Sequence, residues 1–165
     1  MSDKAKINPC SLEVKVVGAN PWWYIVDYEA NVNAALQSLR EREFQAGRYF
    51  PAIDYIDFPL SSASPAPGAQ HSSIEAAIEA ADADGTQSIL DIQRVSESKL
   101  RGTVTSLEAL ELLNVFGTET PTSDSVDEEI PNELFDFIDR GQAVYVVLFE
   151  NSSPSKLLFV GYSYD

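Results

Sequence analysis

Residues 28–50 read YEANVNAALQSLREREFQAGRYF, and the fold turns on whether this stretch is a helix. Val32, Ala35, Leu36, Leu39 and Ala46 recur at helical spacing and form one stripe, which is expected to face a core. The intervening residues are mostly good helix formers. No proline interrupts them, Asp27 or Asn31 is placed to cap the start, and Gly47 is placed to end the helix in a left-handed cap. The segment before it, WWYIVDY at 22–28, is aromatic and β-branched, so a strand is expected to lead into the helix.

Upstream, SLEVKVV at 11–17 alternates apolar and polar residues, the period of a strand with one wet face. Gly18 to Pro21 breaks it, so the two strands are expected to pair as an N-terminal hairpin. In that strand Trp22 and Trp23 point to opposite faces, one inward and one toward solvent or a partner.

Downstream, PAIDYIDF at 51–58 mixes apolar and acidic residues, and a Pro/Ser/Ala-rich surface loop is expected over 59–70. Ser72 or Ser73 caps a short helix stopping at Gly85, and a strand is expected over 88–95. A further helix should run from Thr105 or Ser106 to Gly117. After a polar, acidic connection at 118–129, another should run from Pro131 to Gly141. QAVYVVLFEN (142–151) and KLLFVGYSYD (156–165), joined by 152–155, form a C-terminal hairpin. Its first strand is apolar on both faces, as expected of a central strand. The expected fold is α+β: an antiparallel sheet of four or five strands, built from the N- and C-terminal hairpins, on one long and two or three shorter helices. Residues 1–10 are read as a flexible N-terminus and 11–165 as a single domain, since 165 residues suffice to bury a core without disulfides or metal.

Twenty-six acidic residues against eleven basic ones give a net charge of −15, which opposes nucleic acid and anionic membranes and either serves solubility alone or favours a basic protein partner. No apolar run is long enough for a membrane span, and MSDKAKINPC lacks the apolar core of a secretory signal. The single cysteine, Cys10, allows no intrachain disulfide, and the expected compartment is a reducing cytoplasm.

The candidate chemistry is sparse. Asp82, Asp84, Gly85 and Asp91 match part of a calcium loop, but its first ligand position falls on Ala80, so no metal or other cofactor is expected. His71, the only histidine, reads as an exposed loop residue, since no serine lies in a nucleophile elbow to use it. Arg40, Arg42 and Arg48 are conspicuous in so acidic a chain. They form either an exposed ion-pair face or, with Arg42, Arg48, Tyr49, Trp22 and Trp23 together, a recognition spot for an anionic group. The leading expectation is a non-enzymatic, acidic interaction domain, such as an inhibitor or immunity-type factor for a basic partner. The alternative is a small-molecule-binding or hydrolytic domain with an Arg/Tyr/Trp-lined pocket. A homodimer through an open edge of the terminal hairpin is a third expectation.

Overall fold

The structure, a computed structural model, describes residues 19–126 and 129–164. The expected N-terminus 1–10 with Cys10, and the strand over 11–17, lie outside the described residues. Eight regular elements follow one another: β1 (Pro21–Asp27), α1 (Val32–Ala46), α2 (Ile74–Ala81), β2 (Arg94–Val95), β3 (Thr103–Ser106), α3 (Ala109–Phe116), β4 (Ala143–Glu150) and β5 (Ser153–Tyr162). They make an α+β fold whose five strands lie in the order β1-β5-β4-β3-β2.

The sheet is mixed, which corrects the expectation of a purely antiparallel one. β1 pairs with β5 and β5 with β4 in antiparallel fashion, whereas β3 lies parallel to β4 and β2 parallel to β3. For β3 and β4 the physical reason is the connection: the chain between them carries α3 and two 3₁₀ turns, long enough to return it to the same end of the sheet. Among the described residues β1 takes β5 as its ladder partner on one side and meets Leu60 on the other. Trp23 N–H donates to the Leu60 carbonyl at 3.0 Å and Leu60 N–H to the Pro21 carbonyl at 3.1 Å.

The C-terminal hairpin is present with a tighter turn than expected. Asn151 and Ser152 alone connect the strands, both at positive φ (50° and 66°), which matches the right-handed strand twist. Among the described residues β1 runs along β5 and β3 along the first residues of β4, so neither strand of the hairpin is an edge strand of the sheet. β4 is the middle strand and separates two cores. On one face α1 and the buried Trp22, Tyr24, Leu36, Leu39, Leu157 and Phe159 pack together. On the other, Val144, Val146, Leu148, Leu158 and Val160 meet Leu134 and Ile138, with Trp23 and Ile25 against them.

Helix α1 forms as its periodicity requires. The Asn31 side chain accepts from Ala34 N–H, and Gly47 closes the helix at φ 76°. Three other expectations need revision. Over 88–95 the Ser88 hydroxyl accepts from Leu90 N–H and turns the chain into a 3₁₀ segment. Ile89, Leu90 and Ile92 are all buried there, so only Arg94 and Val95 remain as strand. Thr105 and Ser106 belong to β3, and α3 starts after Glu108, whose N–H donates to Glu111 Oε2 at 2.8 Å in a capping box. Beyond Pro131 only a 3₁₀ segment, Asn132–Phe137, forms. No helix among the described residues is long and apolar enough to cross a membrane.

Candidate functional site

The last turn of α1 carries a buried ion cluster. Leu36, Leu39 and Glu43 follow at i, i+3 and i+7, so periodicity places Glu43 on the core side, and it is fully buried. Arg48 Nη1 donates to Glu43 Oε1 and Oε2 at 3.1 and 3.0 Å, and Arg42 Nε donates to Oε1 at 3.0 Å. The arginines reach further. Arg48 Nε donates to the Ser64 carbonyl at 2.9 Å and Arg42 Nη2 to the Ser62 hydroxyl at 3.1 Å, so the cluster ties the 61–64 loop to the helix. Tyr24 is buried on the same side. Burial, then the negative charge of Glu43, pushes its phenol well above the ordinary tyrosine value, and its hydroxyl has no hydrogen-bond partner among the described residues.

Tyr49 follows Arg48 with its ring stacked on Phe44 and fully buried. Gln70 N–H donates to its hydroxyl at 3.1 Å, and His71 Nδ1 lies 2.8 Å away. His71 is therefore half-buried and hydrogen-bonded to the core, where an exposed loop residue was expected. Arg40 is likewise not part of an exposed ion-pair face. Its guanidinium donates to the Leu90 carbonyl at 3.0 Å and to Gln37 Oε1 at 2.8 Å, and burial lowers its pKa.

The five residues expected to make a recognition spot do not converge. Trp22 and Tyr49 have no exposed surface, and Arg48, with 15% of its side chain exposed, is committed to Glu43. Arg42, 48% exposed, lines a 210 Å³ cleft with Val26, Asp27, Glu29 and Leu39. Trp23 lines a different one of 360 Å³, with Pro21, Pro59, Ile130 and Phe135. Both Glu43 oxygens accept from arginine, so the cluster offers no free carboxylate oxygen for acid-base work.

A second buried carboxylate lies at the opposite end of α1's contacts, in the 3₁₀ turn Ile89–Asp91. Asp91 Oδ1 accepts from Thr86 N–H at 2.9 Å and Thr86 Oγ1 at 2.8 Å, while Oδ2 has no partner among the described residues. Burial pushes this carboxyl up to about 6 against the lowering effect of the Thr86 bonds. Tyr164 packs against this turn. Its hydroxyl donates to the Asp91 carbonyl at 3.4 Å, and Arg101 lies 4.8 Å over its ring. At Gly85 (φ 70°) a Cβ would meet the Tyr164 ring and lie 2.8 Å from Asp91 Oδ2, so only glycine fits. Asp82 and Asp84 are exposed in the neighbouring turn, and among the described residues no three metal-ligating side chains gather.

Sequence reasoning missed the burial of Glu43 and of Asp91. The signal for Glu43 is its place in the apolar stripe, although a glutamate beside two arginines reads locally as a solvated pair. Asp91 stands out in the sequence only as a position of the partial calcium loop, which says nothing of its burial. No family model, curated protein or solved structure matches the chain.

Proposed function

We propose that this chain is a non-enzymatic, acidic interaction domain whose partner is a basic protein, in the manner of an inhibitor or immunity-type factor. The observation that carries this reading is the distribution of charge. Among the described residues only Glu43 and Asp91 are buried and Glu111 half-buried, and every other aspartate and glutamate is exposed. Most described cations are already engaged. Arg42 and Arg48 hold Glu43, Lys99 pairs with Glu111, Lys156 with Asp27, and Arg40 binds a backbone carbonyl. The exposed acids far outnumber these cations, so most of the negative surface keeps its charge, a field that speeds association with a positive partner and repels phosphate backbones. The single cysteine supports a reducing cytoplasm as its setting.

The pocket alternative is the weaker reading, because Trp22, Arg48 and Tyr49 are committed inside the fold and Trp23 and Arg42 line separate clefts. Capture on the immobilised protein across a salt series tests the leading reading. One basic protein should be retained with fixed stoichiometry and released as added salt shortens the screening length to about 8 Å and below. Retention of no basic protein at low salt would overturn the reading.

A further inference from the structure

Tyr55 is 83% exposed, more than any other large apolar side chain described. It stands between the exposed Asp54 and Asp57. Asp54, which precedes Tyr55 in the chain, also lines an open, mostly apolar trench of 450 Å³ with Ala52, Ile53, Pro65, Ala66 and Pro67.

Both walls are braced from within. Phe50 N–H donates to the Thr86 carbonyl at 2.8 Å and Ile53 N–H to the Tyr49 carbonyl at 3.0 Å, which fixes the first wall. The second is held by Arg48 on the Ser64 carbonyl, by Gly68 N–H on the Ala46 carbonyl at 2.9 Å and by Ala69 N–H on the Gln45 carbonyl at 3.2 Å. The buried Glu43 orients Arg48 for that contact. A buried ion pair adds little net stability relative to an apolar core, so its recognisable product here is the position of a surface wall. A trench set in advance loses less ordering entropy when it is filled.

We infer that Tyr55 and this trench are the docking surface for a cationic, extended segment of the partner, an inference that rests on the function proposed above. An arginine side chain stacks on the Tyr55 ring with its fork toward Asp54 and Asp57, and a neighbouring apolar side chain enters the trench. Arginine suits the site better than lysine because its planar, weakly hydrated head stacks on an aromatic face while still donating to carboxylates. A second copy of this chain is disfavoured, since it would bring a charge of −15 and its own Asp54 and Asp57 to the contact.

The test is a titration of the ¹⁵N-labelled protein with acetyl-Leu-Arg-Leu-Arg-amide, with the Leu-Glu-Leu-Glu peptide as control. Shift changes should saturate and cluster at 52–57 and 65–67. Tyr55→Ala and the Asp54→Asn/Asp57→Asn pair, all at exposed positions, should each weaken binding by about 3- to 10-fold, with Glu119→Gln within about twofold of the parent. Unsaturable shifts spread over the acidic surface, equal response to the glutamate peptide, or self-association through residues 52–57 would each overturn the inference. So would saturable binding elsewhere, for instance at the exposed Leu110 and Leu113 of α3. That outcome would leave the basic-partner reading standing, whereas failure of the salt-series capture removes the reading itself.

Discussion

Glu43 and Asp91 are both buried carboxylates near α1, and they are satisfied in opposite ways. Glu43 receives three charged N–H bonds from two arginines and turns them outward to grip a loop. Asp91 receives one N–H and one hydroxyl from Thr86, keeps one oxygen without a partner, and has its proton affinity raised by burial. The contrast shows that burial alone does not define a carboxylate's role. The donors that accompany it do, and here one set builds a scaffold while the other leaves a group sensitive to pH.

The largest effect should come from Glu43→Ala, which strands Arg48 in the interior. A loss of about 3–5 kcal/mol is expected, read as a lower urea midpoint with unchanged slope. A loss below about 1 kcal/mol would place Glu43 with ordinary surface pairs and remove the contrast.

Asp91 should respond to pH with the opposite sign from a salt-bridged aspartate. Its folded pKa lies above the ordinary value, so the folded state binds the proton more tightly than the unfolded one. The stabilisation is present below about pH 4 and is lost as pH rises through about 6. Asp91→Asn keeps an acceptor for Thr86 and cannot ionise. Relative to the parent, the variant should therefore gain about 2–3 kcal/mol between pH 4 and pH 8. Parallel stability curves for the two chains would show that Asp91 ionises without cost.

Gly85→Ala tests how tightly the surroundings of Asp91 are packed, because the new methyl meets both Tyr164 and Asp91 at a positive φ. A cost of about 1–3 kcal/mol is expected, with part of it recovered when Tyr164→Ala is added, as a double-mutant cycle would show. Arg42→Ala should be mildest, below about 1 kcal/mol, because about half of its side chain already faces water. If it matched Glu43→Ala, the exposed arginine would be as essential as the buried one.

Much of the fold was legible from local pattern. The α1 stripe, its Asn31 and Gly47 ends and the two C-terminal strands all follow from spacing that neighbouring residues set among themselves. Short elements were harder. Ser88 diverted an apolar run from strand to 3₁₀ turn, and Thr105 and Ser106 lie in a four-residue strand whose support is its pairing with the distant β4 and with the two-residue β2. Of the candidate site, the importance of the arginines at the end of α1 was legible, but their direction was not. They point at Glu43 and the 61–64 loop, not at a ligand pocket.

The sequence by itself determined that this protein is strongly acidic, has one long amphipathic helix and ends in a hairpin, because charge, helical period and strand period are properties of residues close together in the chain. Only the tertiary structure decided that β3 joins the hairpin in parallel, that Glu43 and Asp91 lose their water, and that Tyr55 keeps it. Those outcomes depend on which distant segments meet, and desolvation is decided by the neighbours that folding brings.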